Sequence, residues 1–280
     1  MTFLFGRARA GACNASPVPE FSVLRNGLEV PVPLDLRDLS RVALLLDVDG
    51  TLLDIAPTPQ EVVVPRELPG TLSRVRDRLE GALALVSGRM ISEIDHFFAP
   101  LQLAAIGGHG AEMRPTSAGP IIAGRATSLD AEFKQQLKDI ACSHPGVLVE
   151  DKGYSLALHY RKVPKQGVAL IHDVKHAHQA WGDQSIELLF GKAVLELKFA
   201  GFNKGTAVRQ LMTYPPFARR TPIFVGDDHT DEDAFKVMPD FNGQAMSVGR
   251  KLPGIEKCFE CPADVRDWLG QMSGALAVAS

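Results

Sequence analysis

Asp47-Val48-Asp49-Gly50-Thr51, entered through the unbroken apolar run Val42-Ala43-Leu44-Leu45-Leu46, is the stretch whose reading decides the fold. An apolar run that short and continuous suits a strand buried on both faces, as in a parallel sheet. It stops at two carboxylates flanking one valine, and Gly50-Thr51 turns the chain. In open α/β sheets ligands bind beyond the carboxyl ends of the strands, where Asp47 and Asp49 would stand. A plain core strand with an Asp-Gly turn has the same local composition, so the neighbouring stretches must decide.

Three of them do. Ala82-Leu83-Ala84-Leu85-Val86 is a second strand-like run and leads into Ser87-Gly88-Arg89. Asn203-Lys204-Gly205-Thr206 opens a helical stretch. Pro222-Ile223-Phe224-Val225-Gly226 is another buried-strand run, ending in Asp227-Asp228-His229-Thr230-Asp231-Glu232-Asp233. The order strand–Asp-x-Asp, strand–Ser, Lys, strand–Asp-Asp resembles the four motifs of the haloacid dehalogenase (HAD) superfamily, whose members are more often phosphatases than anything else. The likeness covers most of residues 42–250 and implies a Rossmann-like α/β core with a parallel sheet.

A chain of 280 residues suggests about two domains. The formal charge of −3 gives no basic field for nucleic acid. No apolar run approaches the ~18 residues of a membrane span, so neither nucleic acid nor membrane is an expected partner. Cys13, Cys142, Cys258 and Cys261 form no disulfide-dense framework, which fits a reducing cytoplasm. Cys258 and Cys261 have metal spacing but no second pair, and read as two ordinary cysteines. Phe3-Leu4-Phe5 is too short for a signal-peptide core. Residues 1–36, proline-containing and without helical period, are expected to form a partly disordered extension along the core.

Beyond the Asp47 turn, residues 54–65 are proline-rich and loop-like. Leu68, Leu72, Val75 and Leu79 recur at helical spacing, as do Ile91, Ile94 and Phe98. Leu103 to Ile106 reads as a strand, followed by Gly107-Gly108-His109-Gly110. Strand–helix alternation of this kind predicts a parallel α/β sheet. From about residue 114 the pattern changes to helices (Leu129, Phe133, Leu137, Ile140; Val174, Ala177, Trp181) and hairpins turning at Asp151-Lys152-Gly153 and Gly191-Lys192. The expected division is an extension at 1–36, a discontinuous core at 37–113 and 200–280, and an inserted α+β cap at 114–199.

The chemistry follows from a phosphate monoester, whose charge repels nucleophiles. Asp47 can attack phosphorus and split one hard step into two through an aspartyl-phosphate. Asp49 can protonate the leaving oxygen and later deprotonate water, which typically contributes ~10²–10⁴-fold. Like charges about 4 Å apart repel by roughly 4 kcal/mol at an effective dielectric of 20. Carboxylates facing a phosphate dianion therefore call for a hard cation, of which Mg²⁺ is the usual one. The superfamily likeness assigns Asp47, the Asp49 carbonyl and Asp227 as ligands, with Asp228 and Asp231 as outer ligands or supports. Thr230 with Asp233 also fits a helix-capping pair. Ser87 can donate to a phosphate oxygen beside free amides at a helix start. Lys204 can offset transition-state charge. His109, in a glycine-rich turn, is placed to meet substrate. His172, His176 and His178 share a cap helix without further metal ligands.

Finer strings resemble the trehalose-6-phosphate phosphatases: Gly107-Gly108-His109-Gly110-Ala111-Glu112, Val149-Glu150-Asp151-Lys152-Gly153-Tyr154-Ser155, His159-Tyr160-Arg161 and Gly226-Asp227-Asp228-x-Thr230-Asp231-Glu232-Asp233. That family closes a cap over a disaccharide, so the resemblance implies sugar contacts at Glu150, Lys152, Arg161 and Glu196. Ser87, Gly88, Arg89 and His109 complete the expected substrate set. Strand alternation adds Lys198, on the face of Glu196. The expected partner is a small-molecule sugar phosphate, met by a monomer. Alternatives are a phosphatase or mutase for another sugar phosphate, such as mannosyl-3-phosphoglycerate, and a non-catalytic sugar-phosphate sensor.

Overall fold

The computed structural model describes residues 39–274 except 57, 59, 60, 124–127 and 256. It also describes two strands, Phe21–Arg25 (β1) and Leu28–Val32 (β2), that pair as an antiparallel hairpin. This hairpin falls in the expected extension, where no strand was predicted. Phe3-Leu4-Phe5 and Cys13 lie outside the described residues.

The apolar run becomes Val42–Leu46 (β3), with Leu44, Leu45 and Leu46 fully buried. Leu68–Arg78 (α1) follows and buries Leu68, Leu72 and Val75. Proline near its start and Arg76 and Arg78 in its last turn suit the helix ends. Leu83–Val86 (β4), Ile91–Phe98 (α2) and Ala104–Gly107 (β5) continue the alternation. Glu112–Arg114 (β6) and Ile122–Ala123 (β7) then add antiparallel strands at the edge of the same sheet. The large sheet thus runs beyond the expected changeover at 113; strands this short carry too little alternation to be read from sequence.

The smaller layer comprises Ala131–Cys142 (α3), Leu148–Asp151 (β8), Ser155–His159 (β9), Gly167–Trp181 (α4), Ile186–Gly191 (β10) and Val194–Phe199 (β11). Its antiparallel sheet has the order β10-β11-β9-β8. Phe133, Leu137, Leu170 and Val174 of the two helices pack with Leu156, Leu158, Leu195 and Leu197 of the sheet. The alternate residues Ser155, Glu196 and Lys198 therefore face the other way. Leu129, expected inside α3, is buried just ahead of it, because Asp130 caps the helix by accepting from the Glu132 and Phe133 amides at 2.8 and 3.3 Å.

The chain returns to the core through Lys204–Leu211 (α5), Thr221–Gly226 (β12), Asp231–Phe235 (α6), Gln244–Val248 (β13), Lys257–Phe259 (β14) and Pro262–Met272 (α7). The large sheet has the order β14-β13-β12-β3-β4-β5-β6-β7, parallel from β14 to β5. Leu46 is in register with Val225 on one side and Leu85 on the other. Asp47, Ser87 and Asp227 consequently leave three adjacent strands at one edge of the sheet. Among the described residues no helix is long and apolar enough to cross a membrane.

Candidate active site

Asp47 stands at the end of the central strand β3, buried, its amide donating to the Val225 carbonyl at 2.9 Å. The turn behind it is closed by Gly50 N donating to Leu53 O at 2.7 Å. Gly50 has φ +86°, and a Cβ there would lie 2.2 Å from Asp227 Oδ2. Only glycine admits both that conformation and that approach. A second turn presents Lys204: Asn203 caps α5 by accepting from the Thr206 amide at 2.8 Å, and Thr206 Oγ1 accepts from the Asn203 amide at 3.0 Å. The Lys204 ammonium is buried between Asp47 Oδ1 at 2.8 Å and Asp231 Oδ1 at 2.6 Å.

One lysine does not balance this cluster. Burial, with Asp231 and Asp227 adding to it against Lys204, pushes Asp47 well above the ordinary carboxylate range. Burial likewise raises Asp227, against Lys192, and lifts Asp231 to about 6. Burial alone would lower Lys204, but Asp231 and Asp47 outweigh it and hold the ammonium well above its usual value. Crowded acids that resist ionisation mark a place for more positive charge. Asp47, Asp227 and Asp231 each bring an oxygen within 4.8 Å of one another. Asp231 is already engaged: its Oδ2 accepts from the Asp227 and Asp228 amides at 2.8 and 3.0 Å, and its Oδ1 from Lys204. Asp227 Oδ1, by contrast, is buried without a hydrogen-bond partner among the described residues. All-oxygen donors and an orphaned carboxylate oxygen fit a hard divalent cation held by Asp47 and Asp227, with Asp231 bracing the loop.

Asp228, expected as a ligand, turns its Oδ1 instead to the Thr230 amide and hydroxyl, both at 2.7 Å. The expected Thr230–Asp233 capping pair does not form. Thr230 makes no side-chain cap, and Asp233 accepts from Lys236 at 3.1 Å. An Asp two residues ahead reaches the free amides through a tighter turn.

Ser87 is buried, its Oγ accepting from the Arg89 amide at 3.1 Å. The loop after β4 is laced to the loop after β5: His109 N donates to Ser87 O at 3.0 Å and Gly108 N to Arg89 O at 2.8 Å. His109 is thereby held beside Gly88, in a left-handed conformation at φ 55°. Arg89 does not present a free fork to substrate. Its Nε and Nη2 donate to Asp49 Oδ2 and Oδ1 at 2.6 and 2.8 Å.

The smaller layer closes over these groups. Glu196, buried, accepts from Ser155 Oγ at 2.6 Å and lies 3.1 Å from His109 Nε2 and 3.4 Å from Lys152 Nζ. Burial would raise its pKa, but Lys152 and His109 hold it well below the carboxylate range. Lys152 also donates to the Gly88 carbonyl at 3.0 Å. Glu150 lies 2.8 Å from His159 Nε2. Arg161 donates to the carbonyls of Ala56 and of Lys192, the latter at 2.9 Å. Glu150, Lys152, His159, Arg161 and Glu196 line one cavity with His109, Asp47, Asp49, Ser87, Lys204, Asp227 and Asp228. Lys198 does not. Its ammonium is buried against the Phe202 and Phe199 carbonyls at 2.5 and 3.3 Å, over the Phe202 ring and paired with Glu187. It fastens the chain where β11 returns to the core.

Two contributors were missed in sequence. Lys192, at the β10–β11 turn, donates to Asp227 Oδ2 at 2.5 Å. Ile55, Ala56 and Val62 give the cavity an apolar side. An exposed hairpin lysine and a proline-rich loop carry no sequence signal for either role. His178 Nε2 lies 2.9 Å from the Ile186 carbonyl, and the cap histidines do not converge as a metal group among the described residues.

The trehalose-phosphatase family model matches residues 45–254. A probable trehalose-phosphate phosphatase of Sinorhizobium fredii is 39% identical over 227 residues, covering 81% of this chain and 84% of its own. The trehalose-6-phosphate phosphatase of Escherichia coli is 34% identical, covering 85% and 88%. Among solved structures, the C-terminal domain of a C. albicans trehalose-6-phosphate phosphatase shares the fold, with TM-score 0.74 and 22% identity over 87% of this chain and 98% of that one.

Proposed function

Since the chain belongs to the trehalose-phosphatase family, we propose that it hydrolyses trehalose 6-phosphate to trehalose and phosphate through an aspartyl-phosphate on Asp47. The observation that carries this is the buried Lys204 ammonium, shared between Asp47 and Asp231 beneath a polar cap face.

Asp47 attacks phosphorus, and Asp49 delivers a proton to the leaving sugar oxygen and then accepts one from water. Lys204 holds Asp47 in place and offsets charge that grows on the transferring group. Ser87 is positioned to donate to a phosphate oxygen. The family implies a divalent metal; we take it to be Mg²⁺, held by Asp47, Asp227 and the Asp49 carbonyl. It would supply a Lewis acid that neutralises phosphate charge. Asp228 serves best as a support, through Thr230.

Residues of the smaller layer act as a cap that meets the sugar. Glu150, Lys152, Arg161 and Glu196, with His109 and Gly88 of the core, offer donors and acceptors around the cavity. Closure of such a cap excludes water from the reacting centre. Free Cys142, Cys258 and Cys261 suit a cytoplasmic enzyme. Phosphate release from a panel of sugar phosphates, with and without Mg²⁺, tests the proposal. A strong Mg²⁺-dependent preference for trehalose 6-phosphate is expected. Preference for mannosyl-3-phosphoglycerate, phosphoryl transfer between sugar positions, or binding without turnover would each overturn it.

A further inference from the structure

Arg89 grips both oxygens of Asp49 through Nε and Nη2, at 2.6 and 2.8 Å. The guanidinium is itself fixed. It lies 4.6 Å over the Phe97 ring, its Nη1 is 3.9 Å from Glu93, and its side chain is 11% exposed. Phe97 and Glu93 belong to α2, so the fork is anchored to the helix that starts beside Ser87. A planar two-point grip sets both rotamer and tilt of a carboxylate, which a lysine cannot do.

A carboxylate that accepts at both oxygens is in the form a base needs. We propose that Arg89 is a positioning residue for phosphoenzyme hydrolysis, holding Asp49 as the base that activates water, and does not contact substrate. This rests on the assignment of Asp47 as the covalent nucleophile. In that half-reaction Asp49 takes a proton from water, the water oxygen bonds to phosphorus, and the phosphorus–oxygen bond to Asp47 breaks. Asp47 returns as a carboxylate, phosphate leaves, and the proton stays on Asp49 for the next leaving group.

The test is acid-quench trapping of protein-bound label from [³²P]trehalose 6-phosphate, beside turnover, for wild type, Arg89→Met and Arg89→Lys. Arg89→Met is expected to lower steady-state turnover by about 10²-fold. The labelled fraction should rise toward one per site, because a protonated Asp49, the form the first half-reaction uses, cannot keep the two-point grip, so losing Arg89 slows the second half-reaction more than the first. Arg89→Lys should fall between Arg89→Met and wild type, since it keeps the charge and loses the fork. Turnover that drops while label stays at or below the wild-type level would overturn the assignment, placing Arg89 at substrate binding or in folding. Absence of label from every form, wild type included, would instead remove the covalent nucleophile and the assignment with it.

Discussion

Lys192 Nζ, at the tip of the β10–β11 hairpin, lies 2.5 Å from Asp227 Oδ2 at the end of β12. A cation from the cap thus sits on the carboxylate proposed to hold the metal. Lys152 to Gly88 and Arg161 to Ala56 cross the same gap. A metal held at Asp227, as proposed, would therefore compete with Lys192 for the same carboxylate. The Lys192 side chain is 55% exposed, so solvent screens its attraction. Removing a competing cation should tighten metal binding in the substrate-free protein. For Lys192→Met, calorimetric titration with Mg²⁺ is expected to give up to about a fivefold lower Kd, equivalent to ~1 kcal/mol. Unchanged or weaker affinity would rule out that competition.

Glu196 tests the cap's role in specificity. Truncation to alanine would strand Lys152 and His109, at a cost of about 3–5 kcal/mol for a broken buried pair. Glu196→Gln keeps the shape and is the better probe. Its kcat/KM for trehalose 6-phosphate should fall by roughly 10²-fold or more, about 3 kcal/mol. Hydrolysis of a small aryl phosphate should fall far less. Equal losses on both substrates would assign Glu196 to folding or catalysis and not to the sugar.

Asp151 adds to the cap's acid sensitivity at a site away from the cavity. Lys134 and Lys138 of α3 donate to it at 2.8 and 3.1 Å, and Gly153 N at 3.0 Å. Burial, the largest single influence, raises its pKa, but Lys134, the Gly153 amide and Lys138 together outweigh it and lower it to about 2. A lowered carboxylate contributes stability that is complete above the unfolded pKa, near 4, and is lost as pH falls through about 2. The side chain is 33% exposed, so screening leaves on the order of 1 kcal/mol. Asp151→Asn should lower Tm at pH 6 and lose most of that deficit as pH approaches 2. A deficit that persists at low pH would mean the aspartate acts through shape alone.

Much of the site was legible because fully buried strands carry unbroken apolar runs. Val42–Leu46 and Pro222–Val225 point directly at Asp47 and Asp227, and the strand register then brings them together. Period-two alternation likewise separated Leu195 and Leu197 from Glu196 and Lys198. It could not say where a long flexible side chain ends, and Lys198 reaches the Phe202 carbonyl while Glu196 faces the cavity. Arg89 and Lys192 were illegible for a related reason. Their partners are 40 and 35 residues away, and only the folded loops bring them into contact. Asp228 and Asp231 differ by the local turn, which sends one carboxylate to Thr230 and the other under Lys204.

Asp49 should serve both halves of the reaction, as acid and then as base. Asp49→Asn keeps the shape but loses proton transfer and one acceptor of the Arg89 fork. Rapid-quench measurement should show both phosphoenzyme formation and breakdown slowed, by roughly 10²–10⁴-fold. A raised Kd for substrate with an unchanged single-turnover rate would make Asp49 a binding residue.

The most direct measurement is phosphate release from trehalose 6-phosphate, with Mg²⁺ present, by folded wild type and folded Asp47→Asn. The asparagine is nearly isosteric and cannot serve as the carboxylate nucleophile. Lys204 still bridges toward Asp231, so the variant should remain folded by circular dichroism. Rapid release by wild type and none above background by Asp47→Asn is the predicted result. Release by Asp47→Asn at a rate close to wild type would contradict the account.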